Sequence, residues 1–140
     1  MPVLTGTLVV GLPIADRWRS MVFYRDAFGF APLGDPAEDG VPEPLRFRLD
    51  ERTLLMLIPT GGFGWVIGDG RQIAPPGVHE SLLGLGLASE SDVDTVIERA
   101  VRAGGETVTA PGPQPWGYSG VCADPDGHLW QITVEPPADS

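Results

Sequence analysis

The polar side chains that could do chemistry in this chain are few, and most stand alone. Cys122 lies in a strand-like run with no neighbouring base to deprotonate it, so a small buried hydrophobe is expected there rather than a nucleophile. His79 and His128, the two histidines, occupy isolated positions of the kind where an imidazole is ordinarily a surface or turn residue. Arg46 and Arg48 alternate with Leu45, Phe47 and Leu49, so both guanidinium groups point to one face, either a ligand cleft or solvent. Facing a cleft, they would grip a carboxylate or phosphate bidentately. Phe63, Trp65, Trp116 and Tyr118 fall in loops or at strand edges, where they could stack on a planar ligand, plug a pocket mouth or form a dimer contact. A phosphate loop is excluded, since GGFGWVIGDG is followed by no helix pattern and lacks the required lysine.

The elements that must position these groups are read from turn signals and periodicity. Asp124, Pro125, Asp126 and Gly127 are a strong turn: proline fixes φ, aspartate closes an Asx turn and glycine supplies φ > 0. The runs on either side read as a hairpin, and after the turn Leu129, Gln131 and Thr133 alternate with an apolar face of Trp130, Ile132 and Val134. Upstream, Thr7 to Ile14 is a β-rich run. Asp16 to Phe28 carries Trp18, Met21, Val22 and Phe28 at roughly helical spacing, ended by Gly29. Phe30 to Leu33 suits a short strand, and Leu45 to Leu49 with Thr53 to Ile58 form a hairpin. The order then recurs: Leu82 to Ala88 as a strand, Ser91 to Ala103 as a helix with Ser91 as N-cap, Glu106 to Thr109 as a strand, and a loop from Ala110 to Pro115.

Asp16 and Ser91, Gly29 and Gly104, and Met56 and Gln131 are each 75 residues apart. One offset for three landmarks predicts an α+β fold of two βαβββ repeats, forming a concave mixed sheet with helices on the outside. The expected organisation is a single domain over residues 1–140, with repeat one at about 5–59, a connector at 60–80 and repeat two at about 81–135. A connector of that length, rich in glycine and proline, is expected to serve function or an interface.

Composition sets the outer bounds. An apolar content of 42% is enough for a real core. The formal net charge of −10 argues against nucleic acid and acidic membrane surfaces, and favours cationic ligands at long range. One cysteine excludes an intramolecular disulfide framework and fits a reducing compartment. The run MPVLTGTLVVGLPIAD has no basic leader and is broken by glycine and proline, so a cytoplasmic protein without a membrane span is expected.

Two segments, SMVFYRDAFGF (Ser20 to Phe30, preceded by Asp16) and ADPDGHLWQ (Ala123 to Gln131), resemble the S-x-x-FY-x-x-x-x-GF and DPDG-x-x-WE patterns of the vicinal oxygen chelate superfamily. That superfamily includes glyoxalase I, extradiol dioxygenases, fosfomycin-resistance enzymes and bleomycin-binding resistance proteins. In its metal-dependent members, the first and last strands of each repeat supply His, Gln or Glu ligands. The resemblance implies that the corresponding positions here are Val9, Met56, Gly84 and Gln131. Valine and glycine have no donor atom, a thioether is soft, and one amide oxygen cannot hold a hard divalent ion against water. No metal and no cofactor are therefore expected. His79 precedes Gly84 by five residues, on the order of 16 Å along a strand, and His128 has the opposite strand parity from Gln131.

Parity further predicts that Val9, Gly11 and Pro13 line the cleft while Val10, Leu12 and Ile14 lie under the helix. The same reasoning places Gly84, Gly86 and Ala88 inside, with Leu54, Met56, Ile58, Leu129, Gln131 and Thr133 as a mostly apolar wall. The small residues would make a roomy pocket, or else let the repeats pack closely. The expected ligand-binding set is Val9, Gly11, Arg46, Arg48, Met56, Trp65, Gly84, Gly86, Trp116, Tyr118 and Gln131. The resemblance implies two functional classes: a metal-independent protein that sequesters a small molecule such as an antibiotic or metabolite, expected to be a homodimer, or a lyase, isomerase or dioxygenase-like enzyme with a divergent site.

Overall fold

The computed structural model describes residues 6–136. β1 (Leu8–Ile14) and α1 (Arg17–Phe28) precede β2 (Leu45–Asp50) and β3 (Thr53–Pro59). A helix absent from the sequence reading, α2 (Thr60–Ile67), then opens the connector. The second repeat comprises β4 (Leu83–Leu87), α3 (Glu90–Arg102), β5 (Glu106–Gln114), β6 (Gly117–Ala123) and β7 (Leu129–Val134). The strands form one sheet in the order β1-β3-β2 and another in the order β4-β7-β6-β5. In each, the first and last strands of the repeat run parallel, β1 with β3 and β4 with β7. This is the α+β architecture of two βαβββ units.

The repeats are not equally complete. The strand expected over Phe30 to Leu33 is reduced to a single bridge between Pro32 and Phe47, with Leu33 N donating to Arg46 O at 2.9 Å. Proline has no N–H with which to extend the ladder. In the second repeat the equivalent strand exceeds expectation: β5 runs to Gln114 through the stretch read as a loop, with register shifts at Thr107/Thr109 and Thr109/Gly112.

One face of each sheet packs on α1 and α3 to give a single core. Ile14, Leu45, Phe47, Leu55 and Leu57 join Cys122, Trp130 and Ile132 in one cluster with Phe23, Tyr24, Val93, Ile97 and Ala100 of the helices. The Tyr24 ring bridges the halves, 5.7 Å from Phe47 and 5.8 Å from Trp130. Trp18, expected on the apolar stripe of α1, is 52% exposed, and Phe23 and Tyr24 are buried instead. Trp18 lies over Gly40, where a Cβ would come within 3.3 Å of the indole.

Helix capping corrects the repeat arithmetic. Asp16 caps α1, its side chain accepting from Arg19 N, but α3 is capped by Ser89, which accepts from Asp92 N, and not by Ser91. The caps are thus 73 residues apart, whereas Met56 and Gln131 keep the 75-residue offset. An α3 one residue longer than α1 contributes to the difference.

A buried network joins α1 to the turn after β6. Tyr24 Oη donates to Asp124 Oδ2 at 2.6 Å and accepts from Trp130 Nε1 at 3.0 Å. The other Asp124 oxygen accepts from Asp126 N and His128 N, closing the turn as an Asx motif. Asp126 reaches back to Ala15 N at 2.8 Å and to Ser20 Oγ at 3.3 Å, beside the N-terminus of α1, where negative charge is favoured. The two segments that carry the family resemblance are therefore the two sides of one clasp.

Candidate functional site

The faces turned away from α1 and α3 carry the residues predicted for the cleft. Gly11 sits directly opposite Met56, and Met56 opposite Arg46, so these three form one row across the first sheet. Val9, Leu54 and Arg48 form the next row on the same face. Leu45 and Phe47 enter the core, and Arg46 and Arg48 share the opposite face with Met56 and Leu54, outside the lining of the cavity described below. On the second sheet, Gly84, Gln131 and Val121 form one row, and Gly86, Thr133 and Ser119 another.

Helix α2 closes one end of this open face. It starts where β3 ends, and its Gly62 backbone lies against Ile58, a Cβ there standing 3.6 Å from the Ile58 side chain. Its residues Phe63 and Ile67, one turn apart, bound a cavity of about 380 Å³. The floor is Gly11, Leu12, Pro13, Leu83 and Leu129, and the far wall is the connector from Gln72 to Ser81. The turn residues Asp126, Gly127 and His128 close the bottom. A volume of this size suits a small molecule, and the lining mixes apolar side chains with polar ones in about equal exposed measure.

Those polar groups differ in availability. Asp126 is engaged by Ala15 and Ser20, and His128 Nε2 lies 2.6 Å from Pro13 O. His79, Glu80 and Gln72 come from the exposed connector and complete the rim. Both histidines therefore border the cavity, although strand counting placed them away from it. For His79 the count ran to Gly84, which does not line this cavity; the connector borders it nearer Leu83 and Leu129.

Other expected site residues lie elsewhere. Tyr118 faces the helix side, its hydroxyl donating to Asp94 Oδ1 on α3 at 2.6 Å, and that carboxylate raises the phenol pKa. Trp65 is on α2 but 85% exposed and outside the cavity lining formed by Phe63 and Ile67. Trp116 is 65% exposed at the β5–β6 turn, its indole N–H held by Ser119 Oγ at 3.0 Å. Gly86 accommodates the chain leaving β7, since a Cβ there would lie 3.1 Å from that of Glu135. Close packing accounts for this glycine. Cys122 is buried, and desolvation first, then the Asp124 charge, pushes its thiol up to about 12. It is no nucleophile at neutral pH.

Of the four positions matched to metal ligands, one depends on which landmark sets the offset. Val9 pairs with Leu54, whereas Gly84 pairs with Gln131. Val9 stands seven residues before the cap Asp16, and the residue seven before the cap Ser89 is Leu82, not Gly84. Leucine also lacks a donor atom, so the set offers one thioether and one amide oxygen, which does not fit a hard divalent ion. No group of three or more His, Cys, Asp or Glu residues able to hold a metal occurs among the described residues.

Comparison with known proteins agrees with this geometry. The sequence pattern of the Glyoxalase/Bleomycin resistance protein/Dioxygenase superfamily matches residues 8–132. An uncharacterized protein of Mycobacterium bovis is 31% identical over 139 residues, spanning 94% of this chain and 82% of that relative. The crystal structure of a glyoxalase-related enzyme from Fulvimarina pelagi superposes with a TM-score of 0.79 at 29% identity, covering 95% of this chain and 90% of the other. TnmS3, an antibiotic binding protein from Streptomyces sp. CB03234, shares the fold, with a TM-score of 0.61 at 21% identity over 97% and 100% of the two chains. The match spans both repeats and includes both sides of the clasp, and the chain belongs to the Glyoxalase/Bleomycin resistance protein/Dioxygenase superfamily.

Proposed function

We propose that this chain binds a small, largely apolar molecule between the open sheet faces and α2, without a resident metal. The observation that carries the reading is the cavity of about 380 Å³ floored by Gly11, Pro13 and Leu129 and walled by Phe63 and Ile67. Val9, Met56, Gly84 and Gln131 extend the same faces beyond it and would receive a longer ligand. Sequestration of an antibiotic or metabolite is the specific form proposed, supported by the fold shared with an antibiotic binding protein. The reading includes a homodimer, supported by the exposed apolar side chains Leu8, Val9, Trp65 and Val66, and a cytoplasmic location, supported by the single cysteine.

The test is a thermal-shift and calorimetric screen of planar and amphipathic compounds, with metal analysis of the purified protein before and after chelation. Saturable binding that survives chelation and weakens at least fivefold in Phe63→Ala is expected. A stoichiometric divalent ion whose removal abolishes binding would overturn the reading, as would silence across a broad panel. An enzymatic alternative draws support from His79 and His128 bordering the cavity as acid or base candidates. Turnover of a bound compound that disappears in His79→Gln would favour it.

A further inference from the structure

Two arginine nitrogens in the described residues are buried without a hydrogen-bond partner, Arg17 Nη1 and Arg46 Nε. The first is explained by charge: it lies 3.0 Å from Glu43 Oε2, and the same guanidinium pairs with Asp39. The second has no such account. The ion pairs of the described residues engage Arg17, Arg25 and Arg102, but not Arg46. Its neighbour Arg48 is tied back to its own hairpin, with Nη1 3.4 Å from Asp50 O and 3.3 Å from Glu51 O. Arg46 is thus a partly buried cation on an open sheet face, with one N–H already withdrawn from water and no counter-charge. Such a group calls for an explanation, because an unpaired buried donor on a charged side chain is costly and rare.

Position supplies the explanation. Arg46, Met56 and Gly11 form one row across three strands on the same face, and Gly11 is part of the cavity floor. Adjacent strands are about 4.8 Å apart, so the Arg46 backbone is only about 10 Å from that floor. Its side chain and a ligand lying over Met56 can meet in the space between. Burial of Nε packs the Arg46 stem against the protein, and the guanidinium is a planar fork of the kind that pairs two-pronged with an oxyanion. The acidic residues bordering the cavity, Glu80 and Asp126, belong to the connector and the turn, whereas Arg46 is on β2. The face therefore runs from an acid-edged end to a cationic strand, where Arg48 is tied back to its hairpin and Arg46 is not.

We propose that Arg46 anchors a carboxylate or phosphate group on the molecule that enters the cavity. This rests on the cavity reading and narrows the ligand class to apolar bodies bearing one anionic group about 10 Å from their far end. The net charge of −10 repels anions in general, so simple anions bind weakly and selectivity comes from an apolar body and an anion recognised together.

The experiment uses 15N-labelled protein and three probes: 2-naphthoate, its methyl ester and inorganic phosphate. Because Nε is buried, its N–H is shielded from exchange and should give an observable resonance, identified by its loss in Arg46→Gln. Naphthoate is expected to bind at least tenfold more tightly than the ester and to move that resonance, as phosphate does at higher concentration. Arg46→Gln should reduce naphthoate to the affinity of the ester and leave the ester unchanged, while Arg48→Gln preserves the tenfold advantage. Equal affinity for acid and ester in the unaltered chain overturns the anchor and leaves the cavity standing, a comparison needing no variant. If neither naphthalene compound binds while phosphate still moves the Arg46 resonance, the cavity reading falls and the anion site stands. If phosphate also leaves it in place, both fall.

Discussion

Replacing Tyr24 with phenylalanine tests the clasp between the repeats. The substitution removes one oxygen that serves two buried groups: it donates to Asp124 Oδ2 at 2.6 Å and accepts from Trp130 Nε1 at 3.0 Å. Asp124 is 3% exposed and Trp130 1%, so water cannot readily replace the lost partner. A hydrogen bond to a charged group contributes about 1.5–3 kcal/mol, and an orphaned buried donor costs about 1–3 kcal/mol more. Partial relaxation brings the expected loss to about 3 kcal/mol. With an unfolding entropy near 2.1 cal/mol/K per residue, a chain of 140 residues has about 0.3 kcal/mol/K, so the midpoint should fall by about 10 °C.

The loss should also depend on pH with a definite sign. Burial holds the Asp124 carboxyl above its usual pKa, against the lowering effects of His128 and the Tyr24 hydroxyl. An acid with a raised folded pKa binds its proton more tightly in the native state, so its stabilising share is full in acid and lost as pH rises through the folded value. Removing the Tyr24 donor raises that value further. The deficit of Tyr24→Phe relative to the unaltered chain should therefore be largest near pH 7 and narrow towards pH 4. Paired thermal and urea denaturation at the two pH values provides the assay. A midpoint shift below about 3 °C at pH 7, or a deficit that does not narrow in acid, would refute the reasoning.

Two further outcomes follow from packing. Gly105→Ala should destabilise by about 3 kcal/mol, because the added Cβ would lie 2.3 Å from Ala123 O and 2.6 Å from Phe23 Cε1, and urea titration reads the change. Cys122, buried with its thiol pushed up to about 12, should resist a disulfide reagent at pH 8 in the native protein and react as one thiol per chain in denaturant. Rapid native labelling would contradict the packing of β6 against the core.

Much of this arrangement was legible in the residues because period and punctuation agreed. The alternation in β1 placed Val10, Leu12 and Ile14 under the helices, and Gly29 ended α1 with φ of 74°, as its position suggested. The Asp124 turn and its hairpin appeared where the turn chemistry put them. Helix α2 was hidden because TGGFGWVI has three glycines among its eight residues and no side-chain cap, so its local signal is poor and its contacts with the sheet are what favour it. The cavity escaped for the same reason, since Phe63 and Ile67 share a face only once that helix exists. The Ser91 cap failed, and the uniform offset made Val9 and Gly84 equivalent although Val9 pairs with Leu54 and Gly84 with Gln131. A uniform offset cannot represent two repeats whose strand-helix halves are two residues out of step with their hairpins.

The clasp of Ser20, Tyr24, Asp124, Asp126 and Trp130 has a consequence for anyone sorting related chains. Ser20, Tyr24, Asp124 and Trp130 are buried and line no part of the hollow, whereas Asp126 holds the halves shut and borders it, so the hollow can be refurnished around all but that one residue without loosening the clasp. Chains gathered by that signature share a way of closing, and their cargoes are free to differ.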